Sequence, residues 1–191
     1  MNNMRRIGLA LHNYHSANGK FPPPVLLGPD GKTPHSWRVA ILPYLEQQPL
    51  YSQYRLDEPW DGANNRKVLA LIPATYRHLD AKPGEAASYF AITGEAAIFS
   101  GTEGTGIARI TDGTSNTIFV VEAERDIPWT KPEDIPFDPK AAPPKLGGFT
   151  PGGFNAGFAD GSVRFLKDSI SPITLKALFT KAGGEVVSGD R

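Results

Sequence analysis

The sequence predicts an α+β fold on three observations: an amphipathic stripe near the N-terminus, two central runs rich in β-branched and aromatic residues, and an Asp-Gly turn near the end flanked by alternating apolar residues. Met4, Ile7, Leu11 and Tyr14 follow one another at helical spacing and leave Arg5, Arg6 and Asn13 for solvent, which predicts a helix within residues 1–18. Asn18-Gly19 is its stop, and Pro22, Pro23 and Pro24 force an extended connection behind it. Between Trp37 and Tyr54 the apolar residues are interrupted by Pro43 and Pro49, predicting two short helical pieces instead of one long helix. A further short helix is expected from Ala63 to Leu71, ended by Pro73.

Ser88 to Thr93 and Thr117 to Ala123 read as strands, with Asp112-Gly113 turning into the second. Residues 127–151 carry seven prolines and read as a long surface excursion. In the segment 154–166, Asp160-Gly161 suits the two central positions of a type I′ hairpin turn. That register sets Phe158 opposite Val163 and Ala156 opposite Phe165, so Phe154, Ala156, Phe158, Val163 and Phe165 share the core face. A last helix follows, with Ser171 as N-cap, Pro172 in its first turn, Ile173, Leu175, Leu178 and Phe179 inward, and Gly183-Gly184 as the stop.

A chain of 191 residues with 40% apolar content is long enough to bury one sizeable core, and it is expected to form a single domain over residues 1–191. Twenty basic and twenty acidic residues cancel, which removes the electrostatic footprint of a nucleic-acid binder. The absence of cysteine excludes disulfides, thiolate metal sites and a thiol nucleophile. No apolar run approaches the roughly 20 residues that span a bilayer, so no membrane contact is expected of the chain as it stands.

Several side chains are candidates for chemistry. His12 and His15 share a helical face but have no evident third ligand, which a zinc site needs. His35 and His78 have no sequence context that favours catalysis. The run Asp57-Glu58-Pro59-Trp60-Asp61-Gly62 combines acids with a tryptophan and suggests a ligand held by Trp60 and Asp61, or calcium held by Asp57 and Asp61. EF-hand spacing fails there, because Pro59 sits at the third position and Val68 at the twelfth. The bland alternative is a turn before a helix with Trp60 as a packing anchor. Glu122 and Glu124 fall on one face of a strand at a Cα separation of roughly 6–7 Å, a distance that a glycosidase pair uses. A solvated strand end is the competing reading. Trp129 is a further candidate for stacking on a sugar, set against a core role. Gly113 to Thr117 lacks the closing glycine of a nucleophile elbow, and the glycine-rich stretch 101–106 lacks the Lys-Ser/Thr of a phosphate loop.

The runs RRIGLALHNYHSANGKFPP (5–23), SWRVAILPYLEQQPLY (36–51), EPWDGANNRKV (58–68), ITDGTSNTIFVVEA (110–123), PWTKPEDIPFDP (128–139) and FADGSVRFL (158–166) together resemble a planctomycete family of prepilin-like proteins of unknown function, which also carries a bacterial extracellular solute-binding label. The resemblance implies a type IV pilin-like plan, in which an N-terminal α-helix packs on an antiparallel β-sheet and a hydrophobic helical extension anchors the protein in the membrane. It further implies an extracytoplasmic, cell-envelope location; a native start at Met1 would instead imply the cytoplasm. A non-enzymatic structural or interaction module is the leading expectation, with other pilin-like subunits or a glycan as partners. A carbohydrate- or solute-binding domain is the alternative, and a glycan hydrolase a further one. This chain departs from the family's pattern in lacking the hydrophobic extension and in carrying no cysteine. In addition, Thr150 stands where the family's His precedes the Asp-Gly pair, here Asp160-Gly161.

Overall fold

A computed structural model describes residues 1–185 and shows an α+β architecture. Helix α1 (Asn2–Asn18) buries Met4, Ile7, Ala10 and Leu11 and ends where Gly19, at φ 74°, takes the left-handed conformation and donates its N–H to His15 O. The predicted stop is therefore observed. Beyond it, β1 (Val25–Leu27) and β2 (Pro34–Ser36) form a small antiparallel ribbon that the sequence pattern does not announce.

The apolar run after Trp37 breaks into α2 (Trp37–Ala40), a 3₁₀ turn at Leu42–Leu45 and α3 (Gln48–Tyr51). Pro43 and Pro49 each sit in the first turn of the last two, where a missing N–H costs nothing, so the prolines start these pieces as well as separating them. Helix α4 covers only Asn65–Leu69.

The main sheet has the order β5-β3-β4-β6-β7. Its strands are β3 (Tyr89–Thr93), β4 (Ile118–Glu122), β5 (Ile135–Pro136), β6 (Gly153–Phe158) and β7 (Val163–Lys167). All neighbours are antiparallel except β3 and β5, so the sheet is mixed and not purely antiparallel as expected. The proline-rich segment 127–151 is likewise more than a surface excursion: it supplies β5 and two buried anchors, Trp129 and Asp134. Beyond the short β5, Asp134 Oδ1 accepts the Ala91 N–H at 2.7 Å, while Arg38 Nε and Nη2 donate to Tyr89 O at 3.1 Å. Arg38 and Asp134, paired at 2.6 Å and almost wholly buried, thus continue the strand edge with side chains in place of backbone. Burial pushes the Asp134 carboxyl up, against the pull of Arg38, the Ala91 N–H and Trp37.

The terminal hairpin corrects the predicted register. Gly161 donates to Phe158 O at 2.8 Å and Phe158 to Ser162 O at 2.9 Å, and Gly161 has φ 84°. This is a three-residue loop with a left-handed glycine at its bulge, not the two-residue type I′ turn. One residue of slip inverts every side chain of β7. Phe154 pairs with Leu166 and Asn155 with Phe165, leaving Leu166 1% and Phe165 38% exposed.

Helix α5 (Pro172–Ala177) is capped by Ser171 as expected, and Leu175, Leu178 and Phe179 are buried. Ile173, expected inward, is 82% exposed. Residues from Met4 to Phe179 contribute to one contiguous apolar core. Met4 of α1 lies where a Cβ on Gly157 would stand, 3.2 Å from its Cγ, so α1 crosses the β6 face that carries Gly157 and, two residues away, Asn155. Among the described residues no helix is long and apolar enough to cross a membrane.

Candidate binding site

Three polar side chains that lie far apart in the sequence meet at one end of the α1-covered face. Glu122 closes β4 and is fully buried, although carboxylates are seldom so. Asn155 Nδ2 donates to its Oε2 at 2.9 Å. His78 Nε2 approaches the same oxygen to 3.8 Å, outside hydrogen-bond range. The Asp80 N–H donates to His78 Nδ1 at 3.2 Å, which assigns the ring proton to Nε2 and turns it towards Glu122. Tyr89 stands opposite Glu122 across the β3–β4 pair. Burial foremost, with the Glu122 charge adding and an Asn3 hydrogen bond opposing, pushes the Tyr89 hydroxyl up to about 12.

A glycine pair shapes the outer wall. Gly147 and Gly148 have φ of 72° and 115°, and a Cβ on Gly148 would come within 2.7 Å of Glu124 Cβ. This conformation lets Gly147 bridge to β4, accepting the Glu124 N–H at 2.7 Å and donating to Glu122 O at 2.9 Å. The chain then presents Phe149, whose ring stacks on His78 with centroids 4.6 Å apart. Two open grooves share Phe149. One, of about 570 Å³, is lined by residues that include Leu146, Thr150, Phe154, Ile170 and Leu175; the other, of about 440 Å³, runs between residues 81–88 and 124–126.

The residues singled out from the sequence fall elsewhere or part company. Glu122 is buried and Glu124 is exposed beyond the end of β4, so the structure does not present them together as a carboxylate pair. Trp129 is a core residue: it is fully buried, stacks on Tyr76 and donates from Nε1 to Leu69 O at 2.9 Å, which leaves no face for a sugar. Trp60 is half-buried against the core, beside exposed Asp57 and Asp61.

The centre of that acidic loop is the buried amide of Asn65. It accepts the Arg55 N–H at 2.8 Å and donates to Arg55 O, Glu58 O and Pro59 O at 2.8, 3.3 and 2.8 Å. Glu58 accepts from the backbone and side chain of Asn64, and Arg66 Nε donates to Asp61 O. The expected calcium ligands Asp57 and Asp61 therefore lie on a loop organised by its own amide. Among the described residues no group of three or more His, Cys, Asp or Glu gathers for a metal.

His12 and His15 pack edge-on and tilted against Phe21. His35 is buried, with Nε2 2.9 Å from Leu56 O and Nδ1 2.9 Å from the Tyr54 hydroxyl. Sequence reasoning picked out Glu122 but missed Asn155, His78 and Phe149. Their link to Glu122 is purely topological; the only local signal is the LGGFTPGGF run, whose glycines mark a close passage.

Residues 1–78 match the model of a family described as a protein of unknown function (DUF1559), a stretch running from α1 to His78. No curated protein and no solved structure matches the chain.

Proposed function

We propose that this domain is a non-enzymatic interaction module of the cell envelope, pilin-like in plan, which holds an extended segment of a partner protein in the grooves around Phe149. The observation that carries the reading is the lining of the larger groove. Prolines 143, 144, 151 and 172 surround Leu146, Phe149, Phe154, Ile170 and Leu175, with Lys145 and Asp168 as its charged members. Apolar walls with few polar groups suit a proline- or leucine-rich peptide, whereas a sugar needs many directed hydrogen bonds. The envelope location rests on the sequence resemblance to prepilin-like proteins, and the helix laid across a mixed sheet accords with it.

A second reading, carbohydrate or solute binding, has its own observation in the half-exposed Trp60 beside Asp57 and Asp61. One NMR titration separates the two. ¹⁵N-labelled domain is titrated with a panel of proline- and leucine-rich peptides and a panel of neutral oligosaccharides. The proposal expects saturable shifts at Leu146, Phe149, Ile170 and Leu175 with peptides, lost in Phe149→Ala. Saturable shifts around Trp60 with oligosaccharides, and none with peptides, would move the function to the second reading.

A further inference from the structure

Below the Phe149–His78 ring stack, Glu122 and Asn155 each keep one oxygen without a donor. Glu122 Oε1 and Asn155 Oδ1 are buried and accept no hydrogen bond, although the other half of the pair is joined at 2.9 Å. Both side chains belong to residues more than nine-tenths buried, 0% and 7% exposed. Buried polar atoms almost always have partners, so two open acceptors on one hydrogen-bonded pair of side chains, one of them on a carboxylate, point to the chemistry of a partner: a group that donates and carries positive charge.

The protein does not supply that group. Among the described residues no lysine or arginine pairs with Glu122, and His78 stops at 3.8 Å. Aromatic residues flank the pair: Tyr89 is the cross-strand partner of Glu122, Phe165 that of Asn155, and the His78 ring is backed by Phe149. Such rings favour a compact cation over a neutral donor. A cavity of about 250 Å³ lies next to the cluster, walled by Met1, Asn2, Asn3, His78, Leu79 and Tyr89. His78 and Tyr89 are thus shared between the cavity wall and the Glu122 surroundings, and Leu79 at the same wall is 96% exposed.

We infer that Glu122 and Asn155 form a binding site for an ammonium group, either the free ion or the head of a short primary amine, reached from the cavity between His78 and Tyr89. An ammonium group carries enough N–H donors to serve both orphan oxygens. Calcium fits poorly, since it takes six to eight oxygens. The inference goes beyond the peptide groove and does not depend on it.

The test is a set of thermal melts of the domain in methylammonium chloride, in sodium chloride at matched ionic strength, and in calcium chloride. Wild type is expected to gain about 2–4 °C, saturably, with methylammonium alone. Glu122→Gln keeps the shape of the side chain and removes its buried charge, so the unliganded variant is expected to melt at or above wild type and the methylammonium response to disappear. Ile170→Ala, in the wall of the peptide groove and outside the cluster, keeps the response. Saturation-transfer NMR on the methylammonium methyl protons with wild type alone gives a readout independent of any variant, and a transferred signal is expected. The inference is overturned by a wild-type response no larger than that to sodium, by a response to calcium alone, by a response retained in Glu122→Gln, or by the absence of saturation transfer.

Discussion

The loop around Asn65 and the cluster around Glu122 are both polar, both partly buried, and opposite in how their hydrogen bonds close. In the loop, one amide from α4 meets four backbone groups of residues 55–59, and Glu58 is in turn held by Asn64. Every partner lies within ten residues in sequence. In the cluster, the partners come from β4, β6 and the segment before β3, with Asn155 thirty-three residues from Glu122, and two acceptors stay open. Polar residues close together in sequence thus close on one another to build a turn, whereas a carboxylate and an amide brought together by strand pairing keep two acceptors open. Local density of charged residues is a poor guide to a site when a neighbouring amide can absorb it.

The largest effect separating the two regions is expected from Asn65→Ala. It strips donors from Arg55 O and Pro59 O and an acceptor from the Arg55 N–H, and should lower stability by about 2–4 kcal/mol in urea denaturation. A loss below about 1 kcal/mol would mean that water replaces the amide and the loop is not self-organised.

Next comes acid. His35 fastens the entry to the loop through Leu56 O and Tyr54, and burial lowers its pKa below 6.5, the hydrogen bond to Leu56 O opposing. As pH falls below about 6.5 the unfolded chain takes up this proton before the folded one. The His35 contribution is therefore full above that pH and declines below it, by at most about 1.4 kcal/mol per pH unit, until the folded ring titrates. His35→Gln should flatten this segment of the stability-versus-pH curve, and an unchanged slope would assign it to another group.

The change expected from Glu122→Gln in unliganded protein is of opposite sign to that of Asn65→Ala, a gain of about 1 kcal/mol, since it removes a buried carboxylate and its orphan acceptor. Equilibrium unfolding measures it. The smallest effect belongs to the double variant Asp57→Asn, Asp61→Asn: both side chains are exposed, so stability should stay within about 0.5 kcal/mol of wild type. A larger loss, together with a calcium-dependent gain in stability seen in wild type and absent from the variant, would restore a cation to the loop.

Much of the fold was legible in the sequence because its signals are local. Gly19 stops α1, Ser171 caps α5, and the β-branched runs become β3 and β4. The hairpin shows where local reading fails: Asp160-Gly161 serves both a two-residue and a three-residue loop, and only packing, which buries Leu166 in place of Phe165, decides between them. The parallel contact of β5 with β3 and the burial of Trp129 follow from the path of segment 127–151, which no periodicity encodes. Of the site, Glu122 was visible as a residue, but its pairing with Asn155 depends on the β4–β6 register and its neighbour His78 on a loop stacked beneath Phe149.

The two buried asparagine amides provide one reporter in each region, and a single ¹H–¹⁵N spectrum records both. On titration with methylammonium chloride the side-chain NH₂ resonances of Asn155 should move saturably while those of Asn65 stay fixed, with Glu122→Gln abolishing the movement. Movement of the Asn65 pair with Asn155 unchanged would contradict the assignment of binding capacity to the strand-built cluster.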